Sequence, residues 1–111
     1  MAEVIALRAD RPRPARDRPR PAPKALGRPE RRLWRALTAK YRFDEMALIT
    51  LELALVALMR ARRVRQRITA DGEVIEGPRG EPLPNPLLAC EQISMQTFQV
   101  AMRALRRGFV T

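Results

Sequence analysis

The sequence predicts a mainly α-helical fold: three helices at about residues 30–41, 44–70 and 86–107, with a short β-hairpin at about 73–84. Three observations predict it. No Gly or Pro interrupts the chain between Asp44 and Gly72, a stretch long enough for a helix of many turns. Apolar residues recur at helical spacing on either side of that stretch. Gly and Pro then cluster between Gly72 and Pro86, where a hairpin and a helix start fit between the long helix and the last one.

The 111 residues include 22 basic and 12 acidic side chains, a net charge of +10, and no histidine. At this length a single small domain is expected. One cysteine, Cys90, excludes an intramolecular disulfide, and without His or a second Cys the usual zinc sites are excluded too. A reducing cytoplasm is the natural compartment. Met1 to Leu7 is too short for a signal peptide and carries Glu3, and Met46 to Met59 has 14 residues where a membrane span needs about 20. The sequence holds no catalytic Ser/His/Asp set, phosphate-cradling Gly loop or metal-binding His pair, so it is expected to be no enzyme and to need no cofactor.

Charge is unevenly distributed. Residues 1–29 carry net +5, residues 30–68 carry +6 and residues 69–111 carry −1. The first segment repeats DRPRPA at 10–15 and 17–22. Proline fixes φ and removes donors, so residues 1–28 are expected to be a disordered, extended basic arm, with residues 29–111 forming the helical domain that oligomerises and engages DNA. Arg11, Arg13, Arg18 and Arg20 in this arm either track a nucleic-acid backbone or simply keep an Arg-biased chain soluble; 20 of its cations are Arg and 2 are Lys.

Pro29 and Glu30 suit the first turn of a helix. Leu33, Leu37 and Tyr41 recur every four residues with Trp34 beside them, and are expected to form its buried face, Trp34 in the core rather than stacking on a base. Asp44 is a candidate N-cap for the second helix, and Gly72 its end. In its first half, apolar residues cover every side, so a helix with only two neighbours should need another subunit. Leu48, Leu51, Leu55, Leu58 and Met59 are therefore expected to form an oligomer interface, with Glu52 at a solvent gap.

In its second half only Ala61, Val64 and Ile68 form an apolar stripe. Arg60, Arg62, Arg63, Arg65 and Arg67 cover the rest, five cations in eight residues. The helix macrodipole accounts for one or two of them. The set points to phosphate, with acidic groups of a neighbouring subunit as the other reading. Glu73 to Glu76 reads as a strand, 77–80 as a turn and 81–84 as a proline-bearing edge strand that must pack on the helices or a neighbour. Asn85-Pro86 starts the last helix, whose core face is Leu88, Met95, Phe98, Met102 and Leu105, with Cys90 packed as a small apolar group and Gly108 as its end.

The Pro29, Trp34 and Leu37 pattern, the long helix ending in Ala70-Asp71-Gly72, the stretch GEVIEGPRGEPLPNPLL from Gly72 to Leu88 and the closing helix occur in a recognisable order. In that combination the chain, over about residues 29–107, resembles the short phage terminase small subunits. The resemblance implies a DNA-packaging component that forms a ring of roughly eight to ten copies, engages double-stranded DNA and presents it to a large terminase subunit, which supplies the ATPase and nuclease chemistry. Two features depart from the family. No helix-turn-helix precedes the helical domain, which puts sequence-specific reading in doubt, and the chain stops soon after the last helix, leaving Phe109 and Val110 as a cap or a minimal docking point. A packaging adaptor without a sequence reader would suit a gene transfer agent. The rival readings are a nucleic-acid-coating helical protein without a packaging partner, and a scaffold whose cations meet acids of another protein.

Overall fold

In the computed structural model, residues 20–107 are described, and they form three helices and one hairpin. The helices are α1 (Arg28–Lys40), α2 (Glu45–Asp71) and α3 (Leu87–Arg106), and the strands are β1 (Val74–Glu76) and β2 (Pro82–Pro84). The predicted elements are all present in the predicted order.

Local chemistry explains the boundaries. Gly27 caps α1 in an extended conformation, with Pro29 in the first turn, and Arg31 N–H donates to its carbonyl. Asp44 Oδ1 accepts from Ala47 N–H at 2.8 Å, the expected side-chain cap of α2. At the other end Gly72 takes φ +96°, a left-handed conformation that a side chain would strain. The hairpin pairs Val74 with Pro84, Ile75 with Leu83 and Glu76 with Pro82, antiparallel, around Gly80 at φ +78°. Asn85, 5% exposed, ties hairpin to helix: its Nδ2 donates to Gly72 O and its Oδ1 accepts from Leu87 N–H.

The core joins Leu26, Trp34, Phe43, Leu48, Leu51, Leu55 and Leu105. Leu51 and Leu55 are at most 1% exposed, and burial of such a side chain contributes about 1.5–3 kcal/mol. Ala47, Ala54 and Ala61, seven residues apart, are buried on the side of α2 that carries Arg65, which binds Glu91 of α3. Small side chains there let the two helices lie close along their length.

Five expectations are corrected. The buried face of α1 is Glu30, Trp34 and Thr38, while Leu33 is 42% exposed and Leu37 and Tyr41 half-buried; the helix is turned because Glu30 is drawn inward by an ion pair. Of the expected arm, residues 20–28 pack on the helices, because Trp34 Nε1–H donates to Arg20 O and Leu26 is 3% exposed. Leu48, Leu51, Leu55 and Met59 lie buried within the single chain and Leu58 half-buried, so they are not a free subunit interface; Phe43, Leu26 and α1 supply the cover that was expected from a neighbour. The hairpin stays largely exposed, held by Asn85 and Glu73 instead of by apolar packing. Cys90 is exposed, on the outer side of α3.

Candidate nucleic-acid interface

The cationic residues sort themselves by what they touch. Arg62 reaches from α2 to the buried Glu30 of α1, with Nε and Nη2 at 3.0 and 2.9 Å from the two carboxylate oxygens. Those hydrogen bonds hold the Glu30 carboxyl below its usual range against the opposing effect of burial. Arg65 Nε and Nη2 grip Glu91 of α3, and Nη1 lies 3.2 Å from Glu73. Arg67 pairs with Asp71 one turn on, at 2.9 Å. Arg20 makes a two-pronged contact with Glu45, one arm of it at 3.0 Å.

Thus Arg62, Arg65 and Arg67 of the predicted cluster spend their charge on this chain's own acids, and Arg62 and Arg65 join separate elements of the fold. The reason is geometric. Arg62 and Arg65 lie on sides of α2 that are covered by other elements, whereas Arg60 and Arg63 are exposed and form no ion pair among the described residues, Arg63 acting on Glu30 only through its nearby charge. Arg11, Arg13 and Arg18 lie outside the described residues.

Three cations that the sequence reading passed over complete the surface. Arg28, Arg32 and Arg35 are exposed on α1, on the side away from Glu30, Trp34 and Thr38, and make no ion pair with any described residue. Their spacing of four and three puts them in one row, a signal that was readable in the sequence. The two basic stretches meet at Gly27. A Cβ built there would stand 2.7 Å from Arg62 Nη2 and 2.9 Å from Glu30 Oε1, so the glycine makes room for the Glu30–Arg62 pair, with Arg63 Nη2 in ordinary contact at 3.7 Å. Arg28, next to Gly27, therefore lies near Arg63 of α2, with Arg32 and Arg35 running on along α1 and Arg60 one turn from Arg63 on α2.

A groove of about 440 Å³ between α2 and α3 is lined by Leu53, Ile93, Val100 and Ala104 among others, with no charged residue in its lining. Leu53, Ile93 and Val100 are 55–63% exposed, and Met46 and Ile49 extend the same apolar row along α2.

Among the described residues no helix is long and apolar enough to cross a membrane, and no group of three or more His, Cys, Asp or Glu is placed to hold a metal ion. Comparison with protein-family models finds no match, and neither a curated protein nor a solved structure matches the chain.

Proposed function

We propose that this protein is a DNA-packaging adaptor of the terminase small-subunit type, which binds double-stranded DNA through its backbone and hands it to a large terminase subunit. The observation that carries the DNA part is the set of exposed arginines without an ion-pair partner among the described residues, Arg28, Arg32 and Arg35 on α1 with Arg60 and Arg63 on α2, the two groups approaching at Gly27. Unpaired guanidinium groups on rigid helices suit phosphate oxygens, and neutralising phosphates releases counterions from the duplex. Such contacts position a protein on DNA without reading its sequence. An adaptor of this kind loads DNA with little regard to sequence, as a gene transfer agent or a phage without a dedicated packaging site requires. It performs no chemistry itself and works in the cytoplasm of a bacterial host cell.

Self-association is the second part of the reading. The row Met46, Ile49 and Leu53 with Ile93 and Val100 is contiguous apolar surface of the kind that marks a contact site, and a second copy is its occupant here. The row on α2 is a ridge and the space between α2 and α3 a groove. A head-to-tail contact that uses this surface forms a ring where the rotation from one copy to the next closes. A ring shares one duplex among many weak arginine sites.

Two measurements test the proposal. Light scattering after gel filtration in high salt should give one discrete assembly of roughly eight to ten chains; a monomer or dimer favours the nucleic-acid-coating reading. Binding to two unrelated duplexes should be equal and fall steeply with salt. A strong preference for one sequence at about 0.2 M salt would overturn the non-specific part, and no DNA binding at any salt would leave the scaffold reading.

A further inference from the structure

A second basic feature lies at the Arg35 end of α1's row of arginines, beside the segment from Arg20 to Ala22. The two enclose a groove of about 400 Å³, lined by Arg20, Arg31 and Arg35 with Thr38 and Ala39 at its α1 wall and no acidic side chain in its lining. Arg31 is held rigidly. Its Nε donates to Leu26 O at 2.9 Å and its Nη2 to Lys24 O at 2.8 Å, so the turn at residues 24–26 fixes the plane of the guanidinium and leaves Nη1 without a partner among the described residues. Arg20 is fixed at both ends, its carbonyl by Trp34 Nε1–H at 2.9 Å and its side chain by Glu45. Arg35, one turn beyond Arg31, is exposed and makes no ion pair with any described residue.

Like charges four residues apart on a helix repel. Arg20, brought across from another segment, has its charge met by Glu45, but Arg31 and Arg35 have no acidic side chain in the groove's lining between them. A single oxyanion with several acceptor oxygens would offset their repulsion, and a fork already oriented by carbonyls loses little freedom in binding one. We infer that this groove is a cradle for a phosphate oxyanion, supplied by a backbone phosphodiester of the bound nucleic acid. The inference rests on the DNA-binding reading for the source of the phosphate, and on the groove alone for the cradle. Arg31 is its fixed donor, Arg35 its mobile one, and Arg20 is shared between the phosphate and Glu45.

The test uses the full chain and two probes. Inorganic phosphate is titrated while the emission of Trp34, the chain's one tryptophan, is recorded, with sodium chloride at equal ionic strength as the control. Trp34 reports on the groove because its indole N–H holds Arg20. In parallel, anisotropy of a labelled 20-base-pair duplex gives the dependence of affinity on salt for the parent, Arg35→Ala, Arg35→Lys and Glu45→Gln chains, with Arg79→Ala in the hairpin turn as the control.

A saturable response to phosphate and not to chloride, lost in Arg35→Ala, is expected. So is a fall of about 0.9 in the salt slope for Arg35→Ala, the loss of one phosphate contact, with Arg35→Lys retaining most of it and Glu45→Gln binding more tightly because Arg20 is released. If Trp34 responds to phosphate while Arg35→Ala leaves the slope of a bound duplex unchanged, the ligand is a free phosphate, and the nucleic-acid source is overturned. If neither readout moves although the duplex binds, the cradle is overturned and the DNA reading stands. If the parent binds no duplex but Trp34 responds, the DNA reading falls and the cradle remains as a site for free phosphate.

Discussion

The carboxylate of Glu30, 1% exposed, is gripped in two-pronged fashion by Arg62, a residue 32 positions away on the neighbouring helix. The pair turns α1 so that Trp34 enters the core, and it withdraws from the surface a cation that sequence alone would give to DNA. A buried acid deprived of its partner is strongly destabilising. Arg62→Ala is therefore expected to lower the midpoint of thermal unfolding by more than about 5 °C, while leaving the salt slope of DNA binding unchanged. A reduced slope with an unaltered midpoint would make Arg62 a phosphate ligand and Glu30 a bystander.

The same pair sets an acid limit. Glu30 titrates below the usual carboxylate range in the folded chain, chiefly through its hydrogen bonds from Arg62. A depressed folded pKa means stability that is fully present above the unfolded value and lost as pH falls through the folded one. Glu45 and Glu91 shift in the same direction, lowered first by their hydrogen bonds from Arg20 and Arg65. Urea midpoints should hold steady above about pH 5.5 and decline as pH falls below the ordinary glutamate value of about 4.3, and Glu30→Gln should flatten part of that decline.

Arg60 and Arg63 act differently from their neighbours. Joint replacement of Arg60, Arg63, Arg28 and Arg32 by Ala should reduce the salt slope by up to about 0.9 per lost contact, with little change in unfolding midpoint because none of them has an ion-pair partner among the described residues. Joint replacement of Arg65 and Arg67 should do the reverse. Filter binding across 50 to 200 mM salt and a melting curve on the same samples separate the two patterns, and an equal loss of slope from both sets would refute the division drawn from the ion pairs.

The two apolar faces of α2 should also part company. Leu53→Glu places a charge on a side chain 55% exposed and should dissolve the assembly without lowering the unfolding midpoint of the single chain. Leu55→Ala, in the core at 1% exposure, should cost about 2–5 kcal/mol by leaving a cavity. Light scattering on Leu53→Glu decides the interface; an assembly of unchanged mass would exclude this row from it.

Asn85 holds the hairpin to both helices by three hydrogen bonds, two from its side chain and one from its backbone N–H to Glu73 O at 2.8 Å. Asn85→Ala strands the Gly72 carbonyl and the Leu87 amide and should cost about 1–3 kcal/mol. Hydrogen exchange should show that loss first in residues 73–84.

What was legible in the sequence was what the chain does locally. Asp44, Gly72 and the Asn85-Pro86 pair each satisfy or end backbone bonding within a few residues of themselves, so the bounds of α2 and the start of α3 could be read to within one residue. The partners of the arginines could not. Arg62 with Glu30 and Arg65 with Glu91 join positions 32 and 26 residues apart, and no local spacing encodes them. The leucines of α2 misled for the same reason: their cover comes from Phe43, from α1 and from Leu26, in a segment whose prolines and arginines read as an arm. The row Arg28, Arg32, Arg35 was visible at spacings of four and three, but five cations crowded on α2 drew the reading there.

The length of α2 works as a ruler. Arg20 is fixed beside Glu45 at its first residue, while Arg60 and Arg63 stand 15 and 18 residues further along it, roughly 22–27 Å at 1.5 Å per residue. No single phosphate can touch both ends. A duplex laid along the helix would have to extend about seven or eight base pairs, at 3.4 Å each, to meet both. Affinity per chain should therefore climb with duplex length up to about that size and then level off, a footprint set by one uninterrupted helix and not by any base sequence.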